Sequence, residues 1–359
     1  MLMRSHLYFT GEPALGYGWG TVNLQLLKEL SLCVPVTHIE ENHQFWNSQS
    51  LDGDVFGPLN DHTFAPFAPC RGKRNYGCSF FEVELSATAQ RNSKRYDLIF
   101  AGSTWSLDRM RDMGILNTRL LIQGVDTRLF CCQGTPRITE AFRIFSGGKL
   151  ELRKGQDLLM AAFRVLQDKY PRMTLVTAWF NLWQGALETL ASSPYIRFEW
   201  INGTWEQQLT HLLLINGIDP QRVVILPLLH PEKLADVYRS TDLGVFPNRC
   251  EGGTNLVMME YMACGLPVIA SYTSGHTDIV TDLNALCLKD LQDIEVEDPE
   301  LQIMGRWQQP TVDDLIASIE FAYSNREVMA QKGSRAGQDL SAFTWARTAD
   351  IFLKATGGE

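Results

Sequence analysis

The sequence predicts an α/β fold built from two doubly wound domains. Three observations support this prediction: the length of the chain, its ordinary globular composition, and the regular alternation of short apolar runs with helical patterns. The chain has 359 residues, of which 45% are apolar and 20% are charged, so it can form two cores of ordinary domain size. Many apolar runs are continuous, as expected for strands that are buried on both faces of a parallel sheet.

The predicted strands are short apolar runs spread along the whole chain. In order they are Leu7–Phe9, Val34–Ile39, Leu98–Ala101, Arg119–Gln123, Phe142–Phe145, Thr174–Ala178, Val223–Leu226, Leu243–Phe246 and Pro267–Ala270. Helical patterns lie between them; over Pro231–Ser240, proline occupies the first turn and apolar side chains share one face. The stretch 40–75 is rich in Gly, Pro, Asn and His, and it is predicted to be a functional loop region.

A linker between the two domains is predicted over Gln123–Glu140. It contains two glycines and a proline and shows no clear periodicity. The predicted domains therefore span 1–130 and 138–338, and a final segment spans 339–359.

The bulk properties exclude several classes of protein. A formal net charge of −9 argues against a nucleic-acid binder, which usually carries a basic face. No apolar run approaches the roughly eighteen residues of a membrane-spanning helix, and the first residues lack the apolar core of a signal peptide. The eight cysteines form no Cys-x-x-Cys pair, so we expect reduced thiols, mostly buried, in a cytoplasmic protein.

The most informative segment is Phe246–Ser271. A strand is followed by a loop that carries Glu251 and two glycines, and then by a helix predicted over Thr254–Cys264 with its threonine as N-cap. Glycines before a helix allow close approach of a ligand, and the free N–H groups at the helix start favour an anion such as a diphosphate. Glu251 is placed to accept hydrogen bonds from sugar hydroxyls, and Glu260, on the helix, from ribose hydroxyls.

Two further glycine clusters follow predicted strands. In Phe145–Leu159, two glycines precede Lys149, Arg153 and Lys154, which are suited to neutralise a diphosphate leaving group. In Gly16–Leu24, the glycines open a helix. This second cluster fits a dinucleotide-binding fingerprint poorly, because the third fingerprint glycine would fall on a threonine.

The segment from Glu251 to Ala270 resembles glycosyltransferase family four, the glycosyl transferases group 1, a retaining family of the GT-B fold. The resemblance rests on Glu260-Tyr-Met-Ala-Cys-Gly-Leu-Pro-Val-Ile-Ala270. Eight residues separate Glu251 from Glu260, whereas the family has seven. Lys154 is followed by glycine as in the family, but Lys149 stands where the family has Arg, and Lys lacks the bidentate fork.

The resemblance implies two Rossmann-like domains that face each other across a cleft. Residues 1–130 would lie on the acceptor side, 138–338 would bind the nucleotide sugar, and the final helix within 339–359 would cross back to the first domain. It implies catalytic roles for Glu251, Lys149 and Lys154. A fourth candidate, Glu82, lies in the predicted N-terminal domain. The nucleotide-sugar contacts implied by the family pattern and the glycine clusters are Gly18, Gly20, Gly148, Gly253, Thr254, Asn255, Leu256 and Glu260.

One departure concerns the N-terminal domain. Many family members carry a His on a loop of this domain that touches the transferred sugar, whereas the corresponding strand here, Asn75–Glu82, has none. Glu82 is the candidate for acceptor contact or general base, and His62 is a rival from the irregular loop. A third possibility is that Glu82 caps the next helix through the turn at Ser86.

The sequence thus predicts a retaining glycosyltransferase that takes a sugar from a nucleotide sugar, with a UDP-sugar as the expected donor. The acceptor is expected to be a glycan, a lipid-linked sugar or a small molecule, and peripheral membrane contact is compatible with this function. No acidic metal-binding pair accompanies the glycine loops, so no metal is expected. Two alternatives stay open: a sugar-nucleotide epimerase of the same fold, and a non-catalytic glycan- or nucleotide-binding subunit.

Overall fold

The structure is a computed structural model that describes residues 6–40, 50–134, 140–298 and 303–357. It contains two parallel six-stranded sheets and one two-stranded antiparallel hairpin. Helices connect most of the successive parallel strands, which confirms the predicted α/β class. Parts of the predicted linker (135–139) and of the predicted loop region (41–49) lie outside the described residues.

The first sheet has the strand order β2-β1-β3-β4-β5-β6. Its strands are β1 (Leu7–Phe9), β2 (Val36–His38), β3 (Asp54–Pro58), β4 (Asn75–Ser79), β5 (Leu98–Ala101) and β6 (Thr118–Leu120), and its helices are α1 (Gly18–Ser31), α2 (Ala87–Ser93) and α3 (Thr104–Asp112). We call this sheet with its helices the N-terminal domain.

The prediction that 40–75 is a loop region is wrong for β3. This strand lies inside the first sheet between β1 and β4, and all five of its residues are buried. Its sequence, Asp-Val-Phe-Gly-Pro, contains three residue types that are rare in strands. Asp54 is accommodated because Arg74 forms an ion pair with its carboxylate at 2.7 Å.

The second sheet has the strand order β12-β11-β10-β7-β8-β9. Its strands are β7 (Phe142–Lys149), β8 (Met173–Phe180), β9 (Val223–Ile225), β10 (Leu243–Phe246), β11 (Val268–Ser271) and β12 (Leu286–Leu288). Its helices are α4 (Gln156–Lys169), α5 (Gln184–Glu188), α6 (Trp205–Ile215), α7 (Pro231–Arg239), α8 (Leu256–Ala263), α9 (Val312–Ser324) and α10 (Arg326–Leu340). This unit is the C-terminal domain.

A hairpin extends the C-terminal domain beyond what the sequence predicted. Its strands are β13 (Leu291–Asp298) and β14 (Ile303–Pro310), and they pair in antiparallel register. Near its base, the Gln309 side chain accepts from Arg249 at 2.8 Å. Further out, the Trp307 indole donates to the main-chain oxygen of Glu82 at 2.7 Å. The hairpin therefore connects the C-terminal domain to the loop that follows β4 in the N-terminal domain.

The last helix, α11 (Trp345–Thr356), packs on the first sheet. Phe352 lies on this helix and contacts the rings of Phe56, Tyr76 and Phe100 at centroid distances of 4.4 to 5.8 Å. This packing confirms the expectation that the chain returns to the first domain. The exact domain limits 1–130, 138–338 and 339–359 stay predictions.

All eight cysteines are free thiols, and four of them are buried: Cys70, Cys78, Cys250 and Cys264. In the part of the chain that the structure describes, no helix is both long enough and apolar enough to cross a membrane.

Candidate functional site

The loop between β10 and α8 carries the central carboxylate of the site, Glu251. The helix that follows begins at Leu256, two residues later than predicted, and its N-cap is Asn255 instead of Thr254. Asn255 has a positive φ of 62°, and its side chain accepts a hydrogen bond from the Met258 amide at 3.3 Å. Asparagine tolerates this left-handed conformation better than threonine does, because the β-branch of threonine restricts it.

A buried histidine orients the N-cap. His276 is fully buried, its Nδ1 lies 3.1 Å from the Ser271 carbonyl oxygen, and its Nε2 lies 3.2 Å from the Asn255 side-chain nitrogen. Burial lowers the pKa of His276 to about 4, so the ring is neutral near pH 7. Nδ1 then donates to the carbonyl oxygen and Nε2 accepts from the Asn255 amide.

Glu251 itself is 4% exposed. Its carboxylate contacts Lys154 Nζ at 2.5 Å and Arg153 at 3.1 Å, and it accepts from the Asn248 amide. Burial alone would raise the pKa of Glu251, but the two cations more than offset this and lower it to about 2. Glu251 is therefore ionised throughout the physiological pH range.

Arg153 connects this carboxylate to two others. Its NH1 lies 3.1 Å from Glu251 and 3.2 Å from Glu82 of the N-terminal domain, and its NH2 lies 2.6 Å from Glu151. Lys149 contacts the second oxygen of Glu151 at 2.8 Å. We call this group of six the charged cluster; it comprises Glu82, Glu151, Glu251, Lys149, Arg153 and Lys154. Three positive and three negative charges make it neutral.

The three carboxylates of the charged cluster differ in their electrostatic surroundings. Burial raises the pKa of Glu82, and the single ion pair with Arg153 does not reverse this. Burial also acts on Glu151, but Arg153, Lys149 and Lys154 together lower its pKa. The carboxylate from the N-terminal domain is thus the most easily protonated of the three.

The N-terminal domain contacts the loop of Glu251 at several points. The Gly252 amide donates to Glu82 at 3.2 Å, and the Gly252 carbonyl oxygen accepts from the hydroxyls of Ser103 and Ser106 at 2.8 and 2.7 Å. A Cβ on Gly252 would lie 2.4 Å from the main-chain oxygen of Phe81, so only glycine fits there. The loop therefore lies directly against the opposite domain.

The other predicted residues of this loop are placed as follows. Thr254 is buried, and its hydroxyl lies 3.3 Å from the Gln123 side-chain oxygen. Gly253 packs beside the same glutamine. Leu256 begins α8 and packs against apolar clusters of both domains. These residues line the contact between the domains at the start of α8.

Glu260 lies one turn further along α8. The Tyr238 hydroxyl donates to its carboxylate at 3.1 Å. Burial raises the pKa of Glu260 to about 7, with the Tyr238 hydrogen bond opposing this shift. No cation pairs with it among the described residues, in contrast to Glu251.

Lys149 approaches the glycine loop of the N-terminal domain through Trp183. Lys149 follows Gly148, which has a φ of 113°, and its ammonium lies 5.3 Å from the ring centroid of Trp183. Trp183 in turn packs edge-on against Tyr17, with ring centroids 5.6 Å apart. Tyr17 is the N-cap of α1, so the start of that helix, with its predicted glycines, lies on the same side as Trp183 and Lys149.

The two glycines predicted there have different surroundings. Gly18 begins α1, and a Cβ at this position would meet no atom within 4 Å. At Gly20 a Cβ would lie 2.8 Å from the Ala14 carbonyl oxygen. Space for a ligand therefore exists at Gly18, whereas Gly20 is required by local packing.

The two candidates from the N-terminal domain, Glu82 and His62, differ in whether they contact the charged cluster. Glu82 joins the charged cluster, while His62 bonds to the main-chain oxygen of Glu84 at 3.1 Å and contacts none of the six cluster residues in the described hydrogen bonds. The helix-capping interpretation of Glu82 is wrong, because Ser86 itself caps α2 by accepting from the Ala89 amide at 3.2 Å. Among the described residues, no group of three or more His, Cys, Asp or Glu is arranged to hold a metal ion.

Sequence reasoning missed Glu151 and the central position of Arg153. The signal that was available is their place between two predicted cations, in Lys149-Leu-Glu-Leu-Arg-Lys154. The turn over Leu152–Lys154, which ends at a left-handed Gly155, brings these alternating charges together. That turn could not be located from the pattern of apolar residues.

Comparison with known proteins bears on this geometry. The sequence model described as Glycosyl transferases group 1 matches residues 141–297. The match lies within the C-terminal domain. The match contains the β7 glycine loop, the charged residues that follow it, and the Glu251–Glu260 segment, so the resemblance noted from the sequence is confirmed.

The related curated proteins carry one recurring description. A D-inositol 3-phosphate glycosyltransferase of Catenulispora acidiphila is 36% identical over 138 residues, which cover 38% of this chain and 29% of that protein. A D-inositol 3-phosphate glycosyltransferase of Segniliparus rotundus is 30% identical over 207 residues, covering 57% and 37% respectively. The aligned part therefore spans well under half the length of these relatives.

Solved structures extend the similarity to the whole fold. Sucrose-phosphate synthase of Thermosynechococcus elongatus superposes with a TM-score of 0.63 at 17% identity, covering 98% of each chain. Anabaena HepE in complex with UDP-glucose gives a TM-score of 0.65 at 15% identity, covering 99% of this chain and 100% of that one. The fold is therefore GT-B, as the family resemblance implied.

Proposed function

We propose that the protein is a glycosyltransferase that takes a sugar from a nucleotide sugar bound between its two domains. The observation that carries this proposal is the charged cluster at the start of α8, where Glu251 lies beside Lys154 and Arg153 at 2.5 and 3.1 Å. The cluster lies at the carboxyl ends of parallel strands, which is where open α/β sheets bind ligands.

The diphosphate of the donor would lie beside Lys149, Lys154 and the first turn of α8. The first N–H groups of a helix have no partner within the helix, and its dipole favours an anion. The lysines stabilise the negative charge that develops on the diphosphate as the bond to the sugar breaks. Gly148, where a Cβ would meet no atom within 4 Å, allows the phosphates close approach to the main chain.

Glu251 and Glu260 would hold the donor at its two ends. Glu251 stays ionised and accepts hydrogen bonds from the hydroxyls of the transferred sugar. Glu260 lies four residues after Leu256, the first residue of α8, and accepts from the ribose hydroxyls. The acceptor approaches from the N-terminal domain, where Glu82 faces the same cations.

Transfer would proceed with retention of configuration at the anomeric carbon. The bond between this carbon and the diphosphate oxygen breaks, and its electron pair leaves with the diphosphate. The acceptor oxygen attacks the oxocarbenium-like carbon from the same face, and its proton passes to the departing phosphate oxygen. The contact between the domains excludes water, which limits hydrolysis of the donor.

A UDP-sugar is the proposed donor and a small molecule the proposed acceptor. Support for the donor comes from the similar fold of Anabaena HepE, whose structures contain UDP and UDP-glucose. Support for the acceptor comes from relatives named for D-inositol 3-phosphate. We further propose that turnover requires no metal, because lysines and the helix dipole supply the positive charge.

The test is calorimetric titration of UDP, GDP and ADP into the protein with a chelator present. We expect one of them to bind, and Lys154→Ala to weaken that binding by about 1–3 kcal/mol, the usual cost of a lost charged hydrogen bond. Lys332→Ala, a surface lysine that contacts Asp282 and Ala285, is the matched control. Unchanged affinity in Lys154→Ala contradicts the placement of the diphosphate, and turnover that depends on added magnesium or manganese contradicts the metal-free mechanism.

A further inference from the structure

We infer that Glu151 acts as an internal competitor of the diphosphate: it binds the phosphate-binding cations when no nucleotide is present and so limits the affinity for the nucleoside diphosphate product. This inference rests on the proposed function, in which the diphosphate binds beside Lys149 and Lys154.

Glu151 occupies the position from which one carboxylate reaches two cations. It lies two residues after the end of β7, and its extended main chain (φ −158°) precedes the turn Leu152–Lys154. One oxygen lies 2.8 Å from Lys149 Nζ and the other lies 2.6 Å from Arg153 NH2. The side chain is largely buried, at 9% exposed, so water screens these contacts only weakly.

The charge balance of the cluster makes this position consequential. With Glu82, Glu151 and Glu251 ionised against Lys149, Arg153 and Lys154, the cluster has no net positive charge to attract an anion. A diphosphate therefore gains binding energy there mainly by replacing a carboxylate as the partner of a cation.

Glu151 is the carboxylate best suited to be replaced. Glu251 also accepts from the Asn248 amide, and Glu82 also accepts from the Gly252 amide. In the described contacts, the Glu151 carboxylate meets only Lys149 and Arg153. Lys149 is the most exposed cation of the cluster, at 35%, compared with 14% for both Arg153 and Lys154. An arriving anion thus reaches the Lys149–Glu151 pair first.

This arrangement has a role in the catalytic cycle. After transfer, the nucleoside diphosphate must leave, and product release limits the turnover of many enzymes. As the diphosphate departs, the Glu151 carboxylate returns to Lys149 and Arg153 and neutralises their positive charge. Product affinity is thereby kept low without loss of the positive charge that the leaving group needs.

The experiment compares the wild type with Glu151→Gln, which keeps the size of the side chain and removes one negative charge. Affinities for UDP and for inorganic pyrophosphate, which is independent of the base, are measured by calorimetry. Removal of a charge so close to the ligand should tighten binding by roughly tenfold, given the strength of charge interactions near a protein surface. Product inhibition by UDP should increase by a similar factor.

Glu206→Gln is the matched control, because it makes the same change of net charge at an exposed position in the first turn of α6. Its affinities should equal those of the wild type. Glu151→Asp, which withdraws the carboxylate by one methylene, provides a second variant should the glutamine form fold poorly, and it should tighten binding by a smaller factor. Melting temperatures verify that each variant is folded.

The outcomes separate this inference from the proposed function. If the wild type binds UDP or pyrophosphate and neither Glu151 variant binds more tightly, the competitor role is wrong while the proposed function stands. If tighter binding appears equally in Glu206→Gln, net charge is the cause and the competitor role is again wrong. If the folded wild type binds no nucleoside diphosphate at all, the proposed function fails, and this inference fails with it.

Discussion

Two glutamates, one from each domain, contact the same nitrogen of Arg153, but their surroundings differ. Glu251, from the C-terminal domain, also binds Lys154 and the Asn248 amide, and its pKa is lowered to about 2. Glu82, from the N-terminal domain, has one cation and one main-chain amide as partners, and burial raises its pKa. One carboxylate is fixed in its charge, whereas the other is sensitive to what lies near it.

The difference indicates a division of labour between the domains. The C-terminal domain presents a carboxylate whose charge and orientation are set before any ligand arrives, which is what preorganised electrostatic stabilisation requires. The N-terminal domain contributes a carboxylate with fewer partners and a raised pKa, and such a group would suit contact with the acceptor in the proposed function. Three substitutions test this contrast, in order of decreasing expected effect: Glu251→Gln, Glu82→Gln and Glu260→Gln.

The largest effect is expected for Glu251→Gln. The substitution leaves buried Lys154 without the carboxylate it contacts at 2.5 Å, and breaking one side of a buried ion pair costs about 3–5 kcal/mol of stability. Sugar transfer should fall by about 10²- to 10³-fold, as for loss of one preorganised electrostatic contact. Chemical denaturation and initial rates of nucleotide release with acceptor present measure the two effects.

The pH dependence of stability should accompany that change. The folded pKa of Glu251, about 2, lies below its ordinary value of 4.5, so its contribution is present above pH 4.5 and is lost as the pH falls toward 2. The stability difference between wild type and Glu251→Gln should therefore shrink in acid. Glu320→Gln, which removes a partner of surface residue Lys169 at 2.6 Å, serves as control and should change stability little. A stable, active Glu251→Gln protein would remove the contrast altogether.

A smaller effect is expected for Glu82→Gln. Glutamine keeps a hydrogen-bond acceptor for the Gly252 amide but loses the ion pair with Arg153, so we expect a raised KM for the acceptor with donor affinity preserved. A general base at this position instead predicts a fall in kcat of about 10²- to 10⁴-fold. Steady-state kinetics with both substrates varied distinguish the two. Glu84→Gln, whose carboxylate contacts Arg306 at 3.4 Å on the surface, is the control, and normal kinetics in folded Glu82→Gln would end the acceptor-side assignment.

Features set by local sequence pattern could be predicted from the sequence, whereas features set by distant contacts could not. Strands such as Leu243–Phe246 were located correctly, because they are continuous apolar runs bounded by clear turn signals. Glu251 and Glu260 could be proposed as site residues because the segment around them resembles glycosyltransferase family four. The C-terminal domain was therefore largely accessible from local pattern.

Other features were not accessible because they depend on distant contacts. Strand β3 contains Asp, Gly and Pro, and it is a strand only because neighbours on both sides and Arg74 support it. In the first strand of the hairpin, acidic and apolar residues alternate over Asp293–Glu297. The contact of the hairpin with Glu82 through Trp307 joins positions 225 residues apart. The Glu151 contacts depend on a tight turn that pattern analysis does not locate.

The smallest effect is expected at Glu260, whose carboxylate, unlike that of Glu251, is not paired with a cation among the described contacts. Burial raises its pKa to about 7, so it is largely protonated below that pH and ionised above it. Hydrogen bonds to a charged acceptor are stronger than those to a neutral one by roughly 1 kcal/mol. If Glu260 accepts from the ribose, UDP affinity should therefore rise by about fivefold as the pH increases through 7, beyond the change caused by titration of UDP itself.

Glu260→Gln cannot ionise, so its UDP affinity should follow only the ligand's own titration. Subtracting its calorimetric profile from that of the wild type isolates the contribution of the Glu260 carboxylate. The stability of the folded protein should change with pH in the opposite direction to UDP affinity. Because the folded pKa lies above the ordinary value of 4.5, the contribution of Glu260 to stability is present below pH 4.5 and is lost as the pH rises through 7. Identical pH profiles of UDP affinity for the wild type and Glu260→Gln would show that Glu260 does not contact the nucleotide. Nucleotide binding would then depend on Glu251 and the cations alone.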